Sequence, residues 1–193
     1  MNIKHIIKIC LFILGLSIMP LMAYTAVPEW QIIPAESQLN FTGTQNGAPV
    51  SGAFKVFTGT LLIEPSDLKN SSIDIIVDIN SISASYAELK GTLVSPDWFD
   101  AKIFPKAEFK STQIEKIDEK NYQAKGILTI RDKSQPLTLS FSVQQLTSNK
   151  GAVIGNAVIK RTLFGVGQGE WAGTNEIKDE VIINFKVAAV KKH

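Results

Sequence analysis

Tyr122-Gln123-Ala124-Lys125-Gly126-Ile127-Leu128-Thr129-Ile130, followed after a short break by Leu137-Thr138-Leu139-Ser140-Phe141-Ser142-Val143, sets the fold class. In an extended chain Tyr122, Ala124, Gly126, Leu128 and Ile130 fall on one side and Gln123, Lys125 and Thr129 on the other. Leu137, Leu139, Phe141 and Val143 alternate in the same way with Thr138, Ser140 and Ser142. Side chains on a strand point to opposite faces in turn, so a period of two marks strands with one buried and one wet face. Val181, Ile183, Phe185 and Val187 repeat the pattern, as do Ile73, Ile75, Val77 and Ile79. Leu39-Phe41, Val50-Ile63, Ala107-Ile114 and Ala152-Ile159 are noisier but compatible. Within Val50-Ile63 the apolar parity switches, from Val50, Gly52, Phe54 and Val56 to Phe57, Gly59, Leu61 and Ile63, which predicts a bulge or bend near Val56-Phe57.

Only two stretches read as helical: a turn around Ser66-Asp67-Leu68, and Ser85 to Phe99, where Tyr86, Leu89, Leu93 and Trp98 recur at roughly helical spacing. Pro96 suits the first turn of a second short helix capped by Ser95. Eight or nine strands with one helical excursion predict an all-β, antiparallel, eight-stranded barrel, since closure removes exposed edges. No repeat or linker divides the chain, which suits one domain.

The N-terminus carries Lys4 and Lys8, an apolar run from Ile9 to Leu16, then Ser17, Pro20 and the small residues Ala23 and Ala26. That is the layout of a signal peptide over residues 1–23, cut after Ala23 or, second choice, after Ala26, with the domain over residues 24–193. The apolar run is shorter than a membrane span requires. Removing Lys4 and Lys8 from the 20 basic residues leaves 18 against 18 acidic. The lysines alternate with acids, so no basic stripe for nucleic acid is present. Cys10 and His5 fall in the leader and His193 is the last residue. The domain is therefore left without a thiol, a metal-ligand set or a His-dependent triad.

A membrane barrel would need an apolar outer band, whereas here the outer face carries Lys, Asp, Asn, Ser, Thr and Gln. The apolar face points inwards, where it either fills the core or lines a cavity. Small residues at Gly52 or Ala53, Ala124, Gly126 and Ala157 are expected to leave volume, although they also ease strand bending. Trp98, Phe99 and Phe104 form an aromatic cluster, with Trp171 in a late loop; core plugs and sugar platforms both fit such residues, but no calcium-type loop supports a lectin. Gly165-Val-Gly-Gln-Gly169 lacks the βαβ context of a dinucleotide fingerprint and reads as a turn. Asp179 and Glu180 are adjacent on a strand and cannot share one site. No catalytic residue is assigned.

Several short pieces together resemble the YceI-like family of lipid or polyisoprenoid-binding proteins. They are Ser37-Gln-Leu-Asn-Phe41, Gly52-Ala-Phe54, Phe57-Thr-Gly59, Ile79-Asn-Ser-Ile82, Asp97-Trp-Phe-Asp-Ala101 and Phe104-Pro-Lys-Ala-Glu-Phe109 with Ser111, then Gly126-Ile-Leu-Thr-Ile-Arg131, Arg161, Phe164-Gly165 and Asp179-Glu-Val181. The resemblance implies a lipocalin-like barrel, periplasmic or secreted, whose apolar tunnel holds a polyisoprenoid or ubiquinone-like lipid, with no covalent cofactor. Burial of the tail would drive binding at roughly 25 cal/mol per Å². The tunnel lining expected on this basis is Phe41, Phe54, Phe57, Leu61 and Val77, with Leu93, Trp98, Phe109, Leu128, Leu139 and Phe141. Arg131 and Arg161, the only arginines, would contact a quinone oxygen or a phosphate at the mouth, or else form surface ion pairs. The family often has a glycine where this chain has Asp132, a charge that would disfavour an anionic head group if that turn lies at the mouth. An alternative reading, drawn from the likeness of Gly165-Val-Gly-Gln-Gly-Glu-Trp171 to domains fused to membrane cytochromes of the b561 type, is an interaction module docking to such a respiratory partner. The oligomeric state is open, with a dimer compatible.

Overall fold

A computed structural model of the chain describes residues 26–192. The expected leader, its cleavage sites, Cys10, His5 and His193 lie outside the described residues. The strands are β1 (Glu29–Ile32), β2 (Gln38–Gln45), β3 (Ala48–Phe54), β4 (Phe57–Leu62), β5 (Ser72–Asp78), β6 (Ile82–Ala84), β7 (Lys106–Lys116), β8 (Asn121–Ile130), β9 (Lys133–Leu146), β10 (Lys150–Lys160) and β11 (Glu180–Lys191). One helix, α1 (Ala87–Val94), follows β6.

These eleven strands make eight antiparallel staves. β1 and β2 flank β11 in succession, β3 and β4 form the next stave, and β5 and β6 the third. β7 to β11 complete the circuit, and the β1–β11 pairing closes it. Each broken stave is stitched at its break. The Ser37 hydroxyl accepts from the Ala188 N–H (3.0 Å) and donates to the Ile33 carbonyl (2.8 Å). The Val56 N–H donates to the Ser81 hydroxyl (3.0 Å). The bend expected near Val56-Phe57 is present, between β3 and β4. Val56 itself, expected on the Phe54 face, is 51% exposed, because the break turns it outward.

Turn chemistry follows the sequence. Asn46 and Gly47 both take positive φ (51° and 79°), the requirement of a tight two-residue hairpin. At the β7–β8 turn the Asp118 carboxylate accepts from the N–H groups of Lys120 and Asn121 and from the Asn121 amide. These bonds, the Asn121 amide foremost, hold its pKa below the usual carboxylate value. The expected second helix after Ser95 does not form: residues 95–104 run as successive turns, with the N–H groups of Trp98 and Asp100 both bonded to the Ser95 carbonyl.

Gly52 and Gly126 do not leave the volume expected of them. The rings of Phe41 and Phe109 lie over them, and a Cβ at either position would meet both ring and backbone carbonyl. Gly155 is covered likewise by Phe185. These glycines let adjacent strands coil tightly, with an aromatic ring filling the missing side chain.

The upper end of the barrel, reached by α1, the β8–β9 turn and the 161–179 connection, is held by the two arginines. Arg161 is 2% exposed. Its five N–H groups meet five carbonyls: Nε donates to Lys178 (3.2 Å), Nη1 to Val166 (3.0 Å) and Gly167 (3.2 Å), Nη2 to Gly173 (2.7 Å) and Ile177 (2.9 Å). Burial pushes its pKa below the usual guanidinium value, and Asp179 opposes that shift. Arg161 is thus not half of a surface ion pair: its donors are taken by the backbone, and it is the post around which the connection is wound. Arg131 takes φ +57°, a strained setting for a residue with a Cβ. Its Nη1 donates to the carbonyls of Pro96 (2.9 Å), Trp98 and Gly165 (3.2 Å), tying the turns after α1 to the 161–179 connection.

Arg161→Lys keeps the charge but cannot reach five carbonyls. It is expected to lower stability by about 3 kcal/mol, seen as a reduced urea midpoint, because buried carbonyls lose their donors. Gly126→Ala is expected to cost about 1–3 kcal/mol by overpacking. Gly91→Ala, in the middle of α1 with nothing near its added Cβ, should instead stabilise by about 0.5–1 kcal/mol. Equal effects of the two glycine substitutions in urea unfolding would contradict the packing described.

Candidate functional site

The inward faces of the staves do not meet across the barrel. They enclose a cavity of about 520 Å³, within the range of sites that hold small molecules. Leu128, Leu139, Phe141, Ile183 and Phe185 all point inwards by their strand register and all line this space. They are only half-buried, because the surface they retain faces the cavity.

The wall is apolar along the barrel axis. Phe41, Phe54 and Phe99 form a chain of rings, with centroids 5.6 and 5.9 Å apart, below α1. Trp98 stands against Trp171 at 6.0 Å, with the Arg161 guanidinium 5.8 Å from its ring centroid. Near the opposite, lower end, Tyr122 stacks on Phe141 at 5.8 Å. The charged side chains on the wall are Glu88, Lys178 and Arg161. Glu88 and Lys178 are exposed, and Arg161 has spent its donors on carbonyls. Among the described residues no group of His, Cys, Asp or Glu is placed to hold a metal ion. No described helix is long and apolar enough to cross a membrane. What this arrangement can do chemically is take apolar surface out of water.

All eleven apolar residues expected to line a tunnel touch this cavity: Phe41, Phe54, Phe57, Leu61, Val77, Leu93, Trp98, Phe109, Leu128, Leu139 and Phe141. Arg161 reaches the wall, but as a post of the fold. Arg131 lies off the wall, its guanidinium 5.4 Å from the Phe104 ring centroid. Asp132 is also off the wall, exposed beside Lys133 at 3.9 Å, so its charge does not face the cavity. Sequence reasoning passed over Trp30, Ile79, Phe164 and Phe185 as lining residues. Phe185 was within reach, since it alternates in register with Ile183 and Val187. Trp30 and Phe164 carry no periodic signal, one at the start of a four-residue strand and the other in a 3₁₀ turn.

The family model described as YceI-like domain matches residues 30–189. A UPF0312 protein of Vibrio cholerae is 28% identical over 142 residues, which is 72% of this chain; the chain spans 64% of that relative's length. Among solved structures, BcnA of Burkholderia cenocepacia is similar with a TM-score of 0.77 and 31% identity, over 81% of this chain and 98% of BcnA. The YceI protein of Campylobacter jejuni is similar with a TM-score of 0.65 and 25% identity, over 74% and 85% of the two chains. A structure described as a polyisoprenoid binding domain from Saccharophagus degradans, implicated in plant cell wall breakdown, shares the fold at 14% identity, with a TM-score of 0.67 over 87% of this chain and all of that one. With the family model covering nearly every strand of the barrel, this chain belongs to the YceI-like family.

Proposed function

We propose that this chain holds an apolar lipid of the polyisoprenoid or quinone class inside its barrel and leaves it chemically unchanged. The observation that carries the reading is the continuous apolar cavity of about 520 Å³ within a closed barrel wall. Each 100 Å² of apolar ligand surface taken from water contributes about 2.5 kcal/mol, so a chain-like ligand needs no strong polar anchor. The Saccharophagus degradans domain, described as binding polyisoprenoid, supports the choice of ligand class through its shared fold. A non-catalytic role fits the wall, whose exposed charges sit at its rim and whose buried charge is committed to backbone carbonyls. The leader-like N-terminus supports work in the periplasm or outside the cell. The run Gly165 to Trp171, which suggested a cytochrome b561-type partner, is occupied here in winding around Arg161 and packing Trp171 on Trp98.

Native mass spectrometry of protein purified from its own compartment, followed by organic extraction, is expected to show one isoprenoid or quinone per barrel. An empty barrel that also refuses added polyprenol would overturn the reading. Leu139→Trp, which projects a ring into the cavity, should cut polyprenol occupancy at least tenfold with the fold intact by circular dichroism. Ile154→Trp, on the outward side of β10, should leave it unchanged.

A further inference from the structure

The wall of the barrel is not bonded equally all round. The ladder between β9 and β10 runs from Leu146/Gly151 to Ser140/Asn156 and stops there. Both strands continue, β9 back to Lys133 and β10 on to Lys160, each fully paired on its other side. No side-chain hydrogen bond crosses this stretch among the described residues, whereas Ser37 and Ser81 stitch the breaks elsewhere. Pro136 sits on β9 within the unladdered stretch and has no N–H to offer a partner, as befits a strand edge.

Both banks of this seam open on the cavity: Leu137, Leu139, Ala157 and Ile159 face inwards and line it. Their outward neighbours along the two strands are mixed, with Pro136 and Val158 standing among Thr138, Ser140, Asn156 and Lys160, and further exposed apolar groups come from the strands and turn beside them. Val158 (52% exposed) pairs in register with Ile182 (45%) on one bank, and Pro136 pairs with Ile127 (40%) on the other. Leu163 (48%) stands in the 3₁₀ turn that follows β10. Water-exposed apolar groups gathered at one place on a surface mark a contact. Parting any laddered pair of staves would break its row of hydrogen bonds; widening this seam breaks none of the ladder.

We propose that the β9–β10 seam is a lateral portal, and that its apolar banks meet a lipid surface so that an apolar chain passes sideways between bilayer and cavity. This inference rests on the lipid-holding reading above. A membrane lipid tail suits the seam better than an added β-strand, because Pro136 removes a donor from the edge that such a strand would need.

Thr138 and Val158 would face one another if the ladder continued in its register. The double variant Thr138→Cys/Val158→Cys, in a chain carrying Cys10→Ser, is bridged with a short cleavable bismaleimide. Asn156→Cys/Asn184→Cys, a register pair across the bonded β10–β11 ladder, is bridged as the control. Transfer of dansyl-tagged polyprenol from phosphatidylcholine–phosphatidylglycerol vesicles is then followed by fluorescence. The bridged seam should load at least tenfold more slowly, recover on cleavage of the bridge, and leave the control pair at the unbridged rate. Loading of the bridged seam at the unbridged rate overturns the portal and sends the lipid through an end of the barrel, leaving the holding function intact. Failure of the unbridged protein to load overturns the holding function and the portal together.

Discussion

The register between β11 and its neighbours is the constraint on which the rest depends. β11 is laddered to β10 along nearly its full length, and on its other side it is shared, first with β2 from Ile182 to Lys186 and then with β1 from Ala189 to Lys191. That shared strand turns an open sheet into a closed one. It also forces the neighbouring stave to bend, since β1 and β2 must both follow β11 while the chain between them steps out of the sheet at Pro34–Glu36. The same step is repeated in the next two staves, between Phe54 and Phe57 and at Ile79–Ser81. Three neighbouring bends coil that side of the barrel, and serine hydroxyls satisfy backbone groups that the steps would otherwise leave unpaired.

Closure alone does not leave room inside, because eight staves are about the number whose interior side chains can fill. Room is kept by where the bulk is placed. Phe41, Phe109 and Phe185 set their rings against glycines on adjacent strands and take up the space that a side chain there would need. Trp98, Phe164 and Leu93 are gathered into the upper plug with Ile79 and Ile82, and Trp30, Ile32 and Leu61 form a separate cluster towards the lower end. Packing concentrated at the ends and in the wall leaves the middle unfilled.

Much of this was legible in the sequence, for a physical reason. The contrast between water and an apolar interior writes itself as a period of two, so β8, β9, β11 and the break before Phe57 could be read directly. The steps at Pro34–Glu36 and Ile79–Ser81 could not, because each is a short turn whose flanking residues keep a plausible strand pattern. The role of Gly126 depends on which residue lies across from it, and cross-strand register is not carried by the local pattern. The backbone role of Arg161 was the least legible feature. An isolated arginine in sequence reads as a surface charge or a ligand contact; that five carbonyls from residues 166 to 178 converge on it is a property of the folded connection alone.

An unfilled interior has an energetic consequence that links fold to function. A core that is not packed across its middle forgoes contacts that a filled interior would make, and unfilled core volume is costly to a fold. A barrel of this kind persists only if its wall cannot collapse, and the rigid parts are placed to prevent that. The arginine post and the ring of turns it holds fix the upper end, and laddered staves resist flattening around most of the circumference. Collapse being blocked, the remaining way to recover the lost contacts is to admit something apolar. The same rigidity means that a guest gains little from reshaping the wall, so selection among guests falls to length and thickness more than to polar recognition. The elements that look most like a binding apparatus in the sequence, two arginines and a glycine-rich run, are therefore committed to holding the upper end of the barrel, and what faces the cavity is the plain apolar side of the strands.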